Sequence, residues 1–155
     1  MEKETKLNRA LMDADGFLFA ANFLRDAIFA NYLGLVVYGP AYTANLAFAC
    51  ELYLKQLLIL EDNEQRGHKL KDLYNCLSAD SKDFISAEYV KRCNDFKEKH
   101  DVTLSSFEDC LENYNTAFED WRYWYEGNKN SKMMGWYDFH ILIEILREMV
   151  CSYGE

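Results

Sequence analysis

A glutamate and a lysine four residues apart, Glu51 and Lys55, stand inside the most apolar stretch of the chain, AYTANLAFACELYLKQLLILED (41–62). Acid before base at that spacing is the favourable order on a helix. A pair this central is not solvated on every side, and an unpaired buried charge costs several kcal/mol, so Glu51 needs a cation. Arg122, set in FEDWRYWYEG (118–127), is the obvious donor of a two-pronged pair that would fix helix register. The same guanidinium is also suited to a phosphate, with rings beside it on which a base stacks. Trp121 and Tyr125 fall on the packing seam of that helix, which leaves Tyr123 and Trp124 for a ligand or a dimer interface. His68, in RGHKL, sits at the start of a short helix, where its ring suits capping of backbone donors or lining a cleft mouth near Arg122. Glu51, Lys55, His68, Arg122, Tyr123 and Trp124 are therefore the candidate ligand-binding residues.

Other chemistry finds little support. The three histidines, His68, His100 and His140, are far apart and form neither H-E-x-x-H nor the Glu-x-x-His pairs of carboxylate-bridged iron bundles. His140 and Glu144 share a helical spacing that arises often by chance, so no metal is expected. No phosphate loop, nucleophile elbow or dinucleotide fingerprint occurs, and no cofactor is called for. The five cysteines, Cys50, Cys76, Cys93, Cys110 and Cys151, are odd in number and never in a C-x-x-C pair, which points to reduced thiols rather than a disulfide framework or a zinc site. A net charge of −9 repels a phosphate backbone unless basic groups gather locally. They do so only in short runs, at Arg66/His68/Lys69/Lys71, Lys91/Arg92 and Lys129/Lys132, each read as a solvated helix face. The opening MEKETKLNRALMDADG has no signal-peptide run, and the apolar stretch holding Glu51 carries charges, so a cytoplasmic protein without a membrane role is expected.

Helices must position these groups. At 155 residues the chain is one domain in length, with half its residues apolar and only one Pro and seven Gly to punctuate it. Apolar residues at helical spacing predict a helix over 13–32 with a short helical lead-in over the first dozen residues, a connection at LGLVVYGP (33–40), and a second, central helix starting near Pro40. A short amphipathic helix opening after Gly67 within RGHKLKDLYNCL (66–77) and a longer one over 80–99 follow. Leu104, Phe107, Leu111, Tyr114, Phe118, Trp121 and Tyr125 alternate steps of three and four, predicting one long helix opened by a Ser105-x-x-Glu108 capping box. A polar loop then leads to a closing helix through WYDFHILIEILREMVCSY (136–153). The expected fold is all-α, an antiparallel up-and-down bundle of four long helices and one short, with a core over about 13–152 of a single domain spanning 1–155.

The order ACELYLKQLL (49–58), GHKLKDLY (67–74), an aromatic-flanked Arg122-Tyr123 on a long helix and an amphipathic closing helix resembles the HEPN proteins, higher eukaryotes and prokaryotes nucleotide-binding helical domains. The resemblance covers roughly residues 13–152. It implies a bundle of four to five helices, often dimeric, in nucleotide or RNA biology, whether as a toxin, as partner of a nucleotidyltransferase, or as a defence ribonuclease. Nuclease members place a His after an Arg and four to six intervening residues. None of the six arginines here is so followed; Arg92 precedes His100 by seven intervening residues, and the matching positions after Arg122 are Gly127, Asn128 and Lys129. Without that proton-transfer group Arg122 is left able to bind a phosphate but not to cleave. The expectation is a non-catalytic binding or regulatory protein, a homodimer with a nucleotide, RNA or nucleotidyltransferase partner. The alternatives are a metal-independent ribonuclease using Arg92 and His100, and a bundle that only binds proteins.

Overall fold

The computed structural model describes residues 3–122 and 137–153, and the side chains of all of these except 121 and 122. The described residues are all-helical, in seven helices: α1 (Lys3–Ala30), α2 (Gly34–Leu60), α3 (Leu70–Asn75), α4 (Ala79–Lys99), α5 (Phe107–Tyr114), α6 (Ala117–Arg122) and α7 (Tyr137–Ser152). α2 is the hub, packed against α1, α3, α6 and α7, while α4 closes on α7. Its apolar composition follows from that position, since Leu46, Tyr53, Leu54, Leu57 and Leu58 are all buried. By length and composition α2 would also cross a membrane, but most of it is buried inside the protein.

α1 runs back along α2. The Phe17 ring packs edge-on to Phe48, Tyr53 donates to Asp15, and the Gln56 side-chain amide donates to the Leu7 carbonyl, so residue numbers rise on one helix as they fall on the other. Arg147 on α7 takes the same Asp15 carboxylate, at 2.9 and 3.1 Å, and one carboxylate thereby ties three helices.

Three boundaries differ from the sequence reading, each for a local reason. α2 begins at Gly34, not near Pro40, and the expected connection over 33–40 is helical. Pro40 gives up the bond to the Val36 carbonyl four residues back, but Val36 is 76% exposed and water can take that group. Gly34 itself is required by close approach, because a Cβ there would lie 2.6 Å from the Ile28 carbonyl oxygen. α1 is one continuous helix from Lys3, with the expected lead-in and the helix expected from residue 13 joined without a break. The single long helix expected from residue 104 onward is two short ones, α5 and α6, parted at Asn115–Thr116. Its cap is Ser106, whose hydroxyl accepts from the Asp109 N–H, rather than the Ser105/Glu108 box. The break is used: the Asn115 carbonyl accepts from the Leu70 N–H and its side chain from the Lys71 N–H at 2.8 Å, so α3 is pinned to the α5–α6 corner.

Candidate functional site

Glu51 projects from the middle of α2 and is 1% exposed. One carboxylate oxygen, Oε1, accepts from Lys55 Nζ at 2.8 Å, one turn along the helix, and from His68 Nδ1 at 2.9 Å. The other, Oε2, is buried with no hydrogen-bond partner among the described residues. A carboxylate with a lysine on the same oxygen is an acceptor, so the His68 Nδ1 carries a proton in this bond and Nε2 is the end of the ring turned away from Glu51. Glu51 thus sets the orientation of a histidine that is otherwise mostly exposed.

His68 reaches Glu51 because of how α2 ends. The Asp62 N–H donates to the Ile59 carbonyl and the Asn63 N–H to the Leu58 carbonyl, with Asp62 left-handed at φ 55°, which is the Schellman closure of a helix. The chain then doubles back beside α2. The Asn63 side chain donates to the Cys76 carbonyl, while Glu61 gathers Ser78 N–H, Ser78 Oγ and Ser81 Oγ, tying the start of the loop to the end of α3. Gly67 takes φ 117°, a conformation open to glycine, immediately before His68.

The loop lines a cleft of about 410 Å³ with Gln65, Arg66, Gly67, His68 and Lys69, and Asp72, Leu73, Cys76 and Glu119 complete the lining. Three basic side chains, Arg66, His68 and Lys69, and two acidic ones, Asp72 and Glu119, line it. Such a cleft suits a ligand that carries both an anion and hydrogen-bond donors. The thiols deeper in the protein are no part of it, since burial pushes Cys50 and Cys110 well up and keeps them as inert apolar groups.

Of the residues singled out from the sequence, Glu51, Lys55 and His68 come together in one contact network. Arg122 ends α6, whose Phe118 ring stacks on Phe48 of α2, but the Arg122 side chain lies outside the described residues, as do Tyr123 and Trp124. Among the described side chains the donors on Glu51 are Lys55 and His68. Arg66 and Lys69, read from sequence as a solvated face, line the cleft, as do Asp72 and Glu119. The signal for the first two was their clustering with His68 within four residues. Arg92 is held by Glu148 at 3.0 and 2.5 Å and by Glu88 at 3.2 Å, and the His100 ring packs on Phe96. Among the described residues no three His, Cys, Asp or Glu side chains are grouped to hold a metal ion. No protein-family model, curated protein or solved structure matches the chain.

Proposed function

We propose that this chain is a HEPN-like binding or regulatory protein, non-catalytic and homodimeric, that holds a nucleotide or a phosphate-bearing RNA end in the cleft between residues 65–76 and α6. The observation that carries this reading is the His68 ring, oriented by buried Glu51 at the wall of a cleft where Arg66 and Lys69 also stand. Arg66, with a planar fork of donors, and Lys69, a point charge, suit a phosphate; Asp72 and Glu119 suit the exocyclic amino groups of a base. A bare anion would leave those two acids opposed to it, which favours the nucleotide over inorganic phosphate. The ribonuclease alternative is less favoured, because all three of the Arg92 guanidinium contacts are with carboxylates that compete with a phosphate.

Thermal melting with added mononucleotides and short single-stranded RNA tests the reading. A ligand at about 100 times its Kd stabilises the folded state by about 2.7 kcal/mol, a rise in Tm of roughly 5–10 °C for a chain of this size. The shift is expected to vanish in Arg66→Ala and His68→Ala. Absence of any shift across nucleotides and RNA in the wild type would remove the proposal.

A further inference from the structure

We infer that the second copy in the homodimer docks on the outer face of α1, antiparallel to it. This rests on the dimer part of the reading above and is independent of the cleft. The inner face of α1 is spoken for, with Ala14, Ala21 and Ile28 buried at sevenfold spacing against the core. The outer face has a register of its own. Thr5, Arg9, Met12, Gly16, Phe19, Phe23, Asp26 and Ala30 step alternately by four and three, and every one of them is exposed. That is the spacing at which one helix seams against another. Its large members are far out in solvent: Met12 and Phe19 are each 74% exposed and Phe23 is 69%. Phe29, Tyr32, Leu33, Val36 and Val37 continue the apolar surface around the turn into α2. Single exposed apolar residues are ordinary, but a contiguous run of this size marks an interaction surface.

The order of residues along the seam names the occupant. A two-fold interface is isologous, so a residue that meets a second residue on the other copy is met in turn by it. Laid antiparallel about a point between residues 17 and 18, the seam pairs Thr5 with Ala30, Arg9 with Asp26, Met12 with Phe23 and Gly16 with Phe19. Each charge meets its opposite at both ends of the contact, and each large ring meets a gap or a flexible thioether. The site of Gly16 is open, with nothing within 4 Å of where a Cβ would stand, so a phenyl ring from the other copy has room above it. The parallel arrangement would set Arg9 on Arg9 and Asp26 on Asp26, which is repulsive. α1 is 28 residues long, about 42 Å of helix. The three large side chains of each copy bring on the order of 900 Å² of exposed surface to the pair, and the flanking seam residues carry it toward the roughly 1,200–2,000 Å² of a stable interface. A membrane surface suits this face less well. Interfacial helices carry a Lys/Arg-rich polar face, whereas Asp13 and Asp26 are exposed here and the chain has a net charge of −9.

Sedimentation velocity on the wild type, Arg9→Glu, Asp26→Arg, the Arg9→Glu/Asp26→Arg double variant and Phe19→Asp tests the pairing, with far-UV circular dichroism to verify that each exposed substitution leaves the fold intact. The wild type is expected to be dimeric at micromolar concentration. Each single charge reversal should raise the dimer Kd about tenfold, equivalent to about 1.4 kcal/mol, the double variant should return to near the wild-type value, and Phe19→Asp should be monomeric. A monomeric wild type, whether or not it pellets with anionic vesicles, overturns the inference; so does a dimer indifferent to these changes, or one that the double variant fails to restore. Nucleotide-dependent melting shifts measured on the same variants report on the cleft separately, so loss of dimerisation with an intact shift, or the reverse, shows which of the two readings has failed.

Discussion

At the scale of single residues, the feature that organises the candidate site is a buried carboxylate with more demand on one oxygen than on the other. Glu51 Oε1 takes both Lys55 and His68, while Oε2 is buried with no partner among the described residues. Removing the lysine leaves a charge that the helix cannot solvate, so Lys55→Met is expected to lower stability by about 3 kcal/mol. The Glu51→Leu/Lys55→Met double variant, which fills the same space without charge, should come back to within about 1 kcal/mol of the wild type. Urea denaturation checks both, and a single substitution as mild as the double would contradict the burial described. The second residue-scale prediction concerns pH. Burial, and behind it the Arg25 charge, hold the His140 imidazole down to about 4, and the neutral Nε2 accepts from the Tyr42 hydroxyl. An unfolded histidine takes a proton near pH 6.5 and the folded one only near 4, so the unfolded state binds more protons between those values. Stability should therefore fall as pH is lowered from 6.5 to 4, by up to about 2–3 kcal/mol from this residue. His140→Gln keeps a partner for Tyr42 and should flatten that part of the profile in melts across the range. Below it a second loss begins. Burial opposes ionisation of Asp15, but the hydrogen bonds from Arg147 and Tyr53 outweigh it and hold its carboxyl below the ordinary value, so its contribution is present above the unfolded value and is lost as pH falls through the folded one.

At the scale of elements, what was legible in the sequence was periodicity, and what was not was the contact that moves a boundary. The Glu51–Lys55 spacing, set in an unbroken apolar run, was enough to mark a charged pair on a central helix. The partner His68 was not, since it depends on a Schellman closure at Asp62 and on a loop that runs back 17 residues to meet its carboxylate. Seven apolar positions from Leu104 to Tyr125 looked like one helix because a break at Asn115–Thr116 disturbs the spacing by nothing; it is made by Asn115 turning to α3. Gly34, Val36, Val37 and Pro40 resembled a connection by composition alone. The helix nevertheless runs through them, and the close approach of Gly34 to the Ile28 backbone is where the hairpin turns. Gly34→Ala is expected to destabilise by about 1–3 kcal/mol, because the backbone facing it has no rotamer to change. A melting temperature unaltered by that substitution would show that the hairpin is looser than described.

At the scale of the whole molecule, the chain separates into a hub and two surfaces. α2 supplies the hub and the buried acid; the loop of residues 61–69, α3 and α6 supply a mixed-charge cleft on one side, and α1 supplies an apolar, charge-matched face on another. The acidic net charge is compatible with this division, since the basic groups that suit a phosphate are gathered within Arg66–Lys69 instead of spread over the surface. The central claim is that the cleft takes a nucleotide through the loop that Glu51 orients. The most direct measurement is a two-dimensional nitrogen–proton NMR titration with a mononucleotide, following backbone amides together with the histidine ring nitrogens. The account predicts saturable shifts concentrated at residues 65–76 and Glu119, with the His68 ring moving while His100 and His140 do not. No shift at millimolar nucleotide, or shifts concentrated away from that loop, would contradict it.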